Sequence, residues 1–149
     1  MTDHDTPRHA LISGVSSGIG QDIARAVLAL GWRVTGLSRG APALSAPGLT
    51  HIPTDLSEPG ALAKALAQVG QVDAIIHAAG LLRVGMVGGL DTAQSEAMWR
   101  LHVLAAEQMV DSLVGRMPDG ARVILIGSRT AAGSAGRSQY AATKACLLY

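Results

Sequence analysis

Residues 10–30 constrain the fold more than any other stretch of the chain. Ala10-Leu11-Ile12 is a short apolar run that reads as a buried strand. It meets a glycine-rich turn, Gly14-Val15-Ser16-Ser17-Gly18-Ile19-Gly20. Ile19, Ile23, Val27 and Leu30 then recur at helical spacing. Gly31 stands where a helix ends in a left-handed residue. A strand that passes through a tight turn straight into a helix begins a βα unit, and the strand that follows must lie parallel to the first.

The remainder repeats the alternation. Residues 33–37 read as a second strand, 40–48 as a loop rich in Ala, Pro, Ser and Gly, and His51-Ile52 as a short third strand ending near Asp55. Ser57-Glu58-Pro59 opens a helix expected to run through Val69. Residues 72–79 form a fourth strand. Asp91 with Gln94 resembles a capping box, and beyond it Met98, Leu101, Ala105 and Met109 mark one face of a long helix. Pro118-Asp119-Gly120 is a turn, residues 123–126 a fifth strand, and a Ser/Gly/Ala-rich loop leads to a last helix from about Ser138. This order predicts an α/β doubly wound parallel sheet of about five strands. The apolar residues suit that layout. Hydrophobic residues make up 48% of the chain, yet Phe is absent and aromatics are 3%, so small aliphatic side chains must fill the space between sheet and helices.

The glycine turn points to a ligand, the alternative being a purely structural strand-to-helix turn. Backbone N–H groups at a helix N-terminus, together with the positive end of its dipole, hold phosphate oxygens. Glycine lets the backbone approach a pyrophosphate closely. The spacing Gly-x-x-x-Gly-x-Gly is one residue wider than the usual dinucleotide fingerprint, and Ser16 and Ser17 add hydroxyl donors. An acidic residue about 20 positions further on would bond the ribose 2′-hydroxyl of NAD. Ser38 and Arg39 hold that place here. Serine does not repel a phosphate and arginine can bind one through two hydrogen bonds, which favours NADP(H) over NAD(H). The alternative is that Arg39 is a solvated loop charge.

Tyr140 and Lys144 form a second constellation, in a chain with two Tyr and two Lys. A helix places positions i and i+4 on one face. Bringing a phenol from about 10 to near neutrality needs roughly 4 kcal/mol. A cation about 4 Å away supplies about 4 kcal/mol at an effective dielectric constant of 20. Such a tyrosine can exchange a proton with a carbonyl or alcohol oxygen. Ser128, just after the fifth strand, lies at the carboxyl end of the sheet, where ligands bind in such folds, and can hydrogen-bond the same oxygen. The competing reading makes Tyr140 an amphipathic helix residue and Lys144 a solvated one.

Together these residues resemble the short-chain dehydrogenase/reductase family, compact non-extended type, from about Ala10 to the last residue. The matching pieces are the turn SGVSSGIG, Asp55-Leu56 after the third strand, HAAG (His77 to Gly80) after the fourth, Ser128, and YAATK (Tyr140 to Lys144). The resemblance implies a Rossmann-like fold and an NAD(P)-dependent oxidoreductase acting on a small carbonyl or alcohol. It implies Tyr140 as acid/base, with Lys144 tuning it and binding the nicotinamide ribose, and Ser128 orienting the substrate oxygen. Gly14, Ser16, Ser17, Gly18, Ile19 and Gly20 would hold the pyrophosphate. Asp55, with Leu56, would contact the adenine, and Ala78, Ala79 and Gly80 would line the cofactor.

The sequence departs from the family pattern in three ways. Ser13 stands where threonine is usual. The position of the usual asparagine, which holds a water in a proton relay, is taken by His102, and the chain contains no asparagine. A neutral histidine both donates and accepts and can support a water, so His102 is a candidate catalytic residue; the alternative is a helix histidine with no catalytic role. His77 reads as a satisfied core residue. Third, family members run to about 250 residues, so the resemblance covers their amino-terminal portion. The later strands, the substrate-binding loop and much of the oligomer contact fall beyond it. Whether the chain is a fragment or a whole product stays open, as do oligomeric state and substrate. An exposed apolar edge or face is expected, favouring association between copies or poor solubility.

Other classes fit less well. The net charge is +1 with no basic cluster, which argues against nucleic acid as a partner. No apolar run reaches the roughly 20 residues that span a bilayer, and residues 1–8 read as a polar, frayed end. Cys146 is the single cysteine, so no internal disulfide forms; it fits a reducing cytoplasm and reads as a small helix-packing residue. The expectation is one NAD(P)-binding domain over 1–149. A dinucleotide-binding module with little or no turnover is the alternative, and a sugar-nucleotide epimerase a distant third.

Overall fold

A computed structural model of the protein describes residues 6–148. Most of the expected frayed end, residues 1–5, lies outside the described residues. Five parallel strands form one sheet: β1 (His9–Ser13), β2 (Arg33–Ser38), β3 (Leu49–Pro53), β4 (Ala74–His77) and β5 (Arg122–Leu125), in the spatial order β3-β2-β1-β4-β5. The order runs outward from β1 in both directions. The chain therefore reverses beside β1 and β4, and a crevice opens there at the carboxyl ends of the strands.

Strand side chains alternate between faces. Leu11, Leu37 and Ile75 join one core with Leu62, Leu66, Met109 and Leu113, from helices α2 (Pro59–Leu66) and α4 (Ala105–Leu113). Ala10, Ile12, Val34, Ala74 and Ile76 join the other with Ala24 of helix α1 (Gly18–Ala29). Helix α3 (Thr92–Trp99) leads into α4, and α5 (Ser138–Ala145) carries the Tyr–Lys pair. β5 is buried less than its neighbour: Val123 is 44% exposed and Ile124 43%. This is the apolar surface anticipated from the sequence.

Several local expectations are corrected. The long helix is broken: residues Arg100–Leu104 form a π-helical turn between α3 and α4. Gln94 does not close a capping box. Asp91 Oδ1 accepts from the Ala93 N–H at 2.9 Å, but Gln94 Oε1 accepts from Arg83 Nε at 2.7 Å. The buried line of α1 runs through Gly20 and Ala24, leaving Ile19 and Leu30 largely exposed. Helix α2 ends at Leu66 rather than Val69, and β4 is shorter than residues 72–79. Cys146 is exposed rather than packed, because α5 turns Ala141, Thr143 and Lys144 inward.

Candidate active site

The crevice is a cleft of about 750 Å³ at the carboxyl ends of the strands. Its floor is the turn after β1. The Gly14 N–H donates to the Leu37 carbonyl at 2.7 Å, holding the turn against β2. Gly14 has φ +78°, and a Cβ there would lie 2.8 Å from the backbone of Ala79. A Cβ on Gly20 would lie 2.2 Å from the Gly14 carbonyl oxygen. The two glycines thus bring turn, helix and β4 end into direct backbone contact. Ser16 and Ser17 line the cleft. Ser17 precedes α1 in extended conformation and its side chain makes no capping bond, which leaves the hydroxyl for a ligand. Gly18, Ile19 and Gly20 belong to the start of α1 and do not line the cleft.

At the far end of β2 the two expected residues behave differently. Arg39 is exposed and lines the cleft. Ser38 also lines it but is 5% exposed, and its hydroxyl donates to the Gly40 carbonyl at 2.8 Å with His51 Nε2 3.0 Å away. Its role is therefore to shape the turn that presents Arg39. Asp55 and Leu56 line the same side. Asp55 Oδ1 accepts from the Ser57 N–H at 3.0 Å and the Ser57 hydroxyl at 2.6 Å. Those bonds hold the Asp55 carboxyl below its ordinary range against the opposing effect of burial, with the Arg39 charge adding least.

The opposite wall is Ala78, Ala79 and Gly80. Ser13, noted in the sequence only as a hydroxyl-for-hydroxyl change, orients it. Its Oγ accepts from the N–H groups of Ala78 and Ala79, both at 3.1 Å, and donates to His77 Nδ1 at 2.8 Å. His77 Nε2 then carries the ring proton and donates to the Leu101 carbonyl in the π-turn at 3.0 Å. Burial, then the Lys144 charge, push the His77 pKa down to about 4 despite its bonds to backbone carbonyls. His77 is the satisfied core residue the sequence suggested.

Gly80 leads to the second constellation. A methyl group there would lie 3.5 Å from His102 Nε2 and 3.8 Å from Lys144 Nζ. Lys144 is 4% exposed, and its Nζ donates to the Ile126 carbonyl at 2.9 Å and sits 5.9 Å from the centroid of the Tyr140 ring. Burial lowers its pKa from the ordinary lysine value. The pair therefore converges, and the solvated-lysine reading is excluded. Ser128 caps a short 3₁₀ turn, Arg129–Ala132; its Oγ accepts from the Thr130 N–H at 3.1 Å and keeps its own proton to donate. His102 is fully buried, with its ring edge-on to Tyr140 at 5.5 Å between centroids. Sequence reasoning did not find Thr54, Arg83 and Arg100, which also line the cleft. They stand outside the recognised motifs and carry no spacing signal.

The family described as short chain dehydrogenase matches residues 8–148. The chain belongs to this family. Coniferyl-alcohol dehydrogenase from Pseudomonas sp. is 27% identical, over 83% of this chain and 45% of that protein. A short-chain dehydrogenase from Streptomyces avermitilis superposes with a TM-score of 0.85 at 30% identity, covering 95% of this chain and 57% of that one. A blue fluorescent protein from a metagenomic library, solved in complex with NADPH, gives 0.83 at 28%, covering 96% and 65%. The chain spans under half the length of the matching relatives, a polyketide synthase from Streptomyces halstedii among them. No helix among the described residues is long and apolar enough to cross a membrane. Among those residues no three His, Cys, Asp or Glu side chains gather as a metal site.

Proposed function

We propose that this chain forms one dinucleotide-binding unit of an oxidoreductase that interconverts a small carbonyl compound and its alcohol with NADP(H). One observation carries the reading: the cleft that starts at the glycine turn passes Gly80, where a methyl group would lie 3.8 Å from the Nζ of the buried Lys144, which sits over the Tyr140 ring just behind that wall. A dinucleotide fits that line. The backbone contacts at Gly14 and Gly20 make a cradle that a Cβ would fill, and Ser16 and Ser17, which line the cleft just before α1, offer donors to phosphate. Arg39, at the end of a strand β2 whose own sequence there carries no acidic residue, favours a 2′-phosphate, and the structural neighbour that holds NADPH is in keeping with this. Asp55 would accept from the adenine amino group.

The bound nicotinamide would supply or accept hydride at the carbonyl carbon. Around that exchange the chain's own side chains divide the work. Tyr140 gives a proton to the carbonyl oxygen, or takes one from the alcohol. Lys144, buried without a counter-charge within salt-bridge distance among the described residues, holds its ammonium 5.9 Å from the centroid of the Tyr140 ring. One Lys144 donor is spent on Ile126, which leaves two for ribose hydroxyls. Ser128 donates its free proton to the same substrate oxygen.

A second reading, dinucleotide binding with little turnover, draws on His102: both ring nitrogens already have protein partners, so the side chain does not hold the water expected at this position. Titrations with NADPH and NADH, followed by NADPH oxidation over a panel of ketones, separate the two. The oxidoreductase reading expects turnover that Tyr140→Phe abolishes while binding persists. It also expects Arg39→Ala to weaken NADPH about 10- to 100-fold and NADH little, as for one lost charge-assisted contact. Equal losses for both would remove the 2′-phosphate role. Tight binding without turnover of any ketone would establish the module.

A further inference from the structure

His102 makes two hydrogen bonds whose directions can be worked out. The Leu81 N–H donates to Nε2 at 2.9 Å. A backbone amide only donates, so Nε2 carries no proton and a neutral ring must be protonated at Nδ1. Nδ1 lies 2.9 Å from Thr143 Oγ1, which in turn donates to the Tyr140 carbonyl at 2.9 Å. The result is one directed chain: Leu81 N–H to His102, His102 Nδ1–H to Thr143, Thr143 O–H to Tyr140. It begins on the cleft wall next to Gly80 and ends inside the helix that carries the pair. Every donor and acceptor of the imidazole is used.

His77, one layer away, has the opposite tautomer. It accepts at Nδ1 from Ser13 and donates from Nε2 to Leu101, the residue before His102. Two neutral histidines therefore fix the π-turn, one through its backbone and one through its side chain.

We propose that His102 is a positioning residue rather than a relay group: it acts as a neutral, Nδ1-protonated clamp that sets α5, and with it Tyr140 and Lys144, against the cofactor wall at Leu81. Resting on the oxidoreductase reading for its purpose, the clamp has a structure of its own that can be tested without turnover. A protonated ring would lose the Leu81 bond and place a second cation beside Lys144. The titratable groups that face the ring are Lys144 and Tyr140 from α5 and His77 from β4. Asparagine ends at the δ atoms and has nothing at the place of Nε2, so from the same backbone position it cannot reach both Leu81 and Thr143.

The test is nitrogen-15 NMR of the whole 149-residue chain, with His102→Gln to assign the ring and hydrogen exchange read at the Leu81 amide. The clamp predicts a pyrrole-type nitrogen at Nδ1, a ring still uncharged at pH 5, and a protected Leu81 amide. Protection should fall about tenfold or more in His102→Asn and in Thr143→Val, as expected for loss of a net hydrogen bond with a partner left unsatisfied, and return in Thr143→Ser. A ring protonated at Nε2, a ring that charges near pH 6.5, or full Leu81 protection in His102→Asn would overturn it. If His102→Asn fails to fold, the ring tautomer of the unaltered chain and the Thr143 pair decide. In a chain that turns over, a relay role predicts that His102→Asn keeps or raises kcat, whereas the clamp predicts that it lowers it; binding of NADPH without turnover would sink the enzyme reading and leave the tautomer measurement standing.

Discussion

The two ends of the cleft are held by different physics. At the glycine turn, order comes from steric contact between backbone atoms: Gly14 against Ala79, Gly20 against Gly14. At the Tyr–Lys end, order comes from two buried histidines that must stay neutral, set beside a buried ammonium. The first arrangement has no titratable part and the second depends on protonation state. A phosphate-binding turn needs N–H groups at fixed positions and nothing else. The proton transfer proposed for the second would need a controlled field, and uncharged imidazoles give rigid bonds without adding charge next to Lys144.

The largest effect should come from the steric end. Gly20→Ala puts a methyl group into the Gly14 carbonyl, with the Ser13 carbonyl oxygen also only 3.1 Å away, so the turn itself must move. We expect a loss of about 3 kcal/mol or more of stability, of the order of overpacking a rigid site. Gly60→Ala, in α2 with nothing near its Cβ, is the control and should be neutral or stabilising by up to about 1 kcal/mol. Urea unfolding of the two variants measures both. Similar values would mean the turn is soft, and the contrast between the two ends would go with it.

Acid should act on the other end. An unfolded chain titrates its histidines near 6.5, whereas the folded values are about 4 for His77 and about 3 for His102. Between pH 6.5 and 4 the unfolded state therefore binds more protons. Stability is fully present above pH 6.5 and falls as pH drops toward 4, by up to about 2.7 kcal/mol per pH unit for two groups. His9, also lowered chiefly by burial, adds to the same trend at the opposite end of β1. Urea unfolding from pH 7.5 to 4.5 reads the slope, and His77→Gln should remove the share of one proton. A flat profile would mean that the buried rings take up their protons over the same pH range folded as unfolded.

How far the sequence foretold this contrast follows from the range of the interactions. The candidate site was legible because its parts are local: a glycine turn, a strand end and an i, i+4 pair each declare themselves within a few residues. The histidine network was not. Ser13 and His77 are 64 residues apart, and His102 and Thr143 are 41 apart, so no spacing rule links them. The π-turn was hidden for another reason. Met98, Leu101, Ala105 and Met109 fit a continuous α-helix, and one wider turn shifts that stripe too little to break the pattern. Ser38 showed only its residue type. That its hydroxyl turns to Gly40 and His51 depends on β3 lying alongside β2.

The smallest effect should come from β5, which backs the Tyr–Lys end. β1 is buried along its whole length, while β5 makes the same kind of parallel pairing with β4 and leaves Val123 and Ile124 more than two-fifths exposed. If the pair were positioned by packing on β5, replacing those side chains would disturb it. Lys144 instead reaches past β5 to the Ile126 carbonyl, a backbone group that substitution leaves in place. Val123→Thr and Ile124→Thr keep the branched shape and strand preference, and each should change stability by no more than about 0.5 kcal/mol. NADPH affinity should be unchanged. A loss of more than about 2 kcal/mol from either, measured by urea unfolding at pH 7.5, would mean that side-chain packing on this strand carries the Tyr–Lys end after all. The histidines would then be passengers in a site held, like the glycine turn, by steric contact.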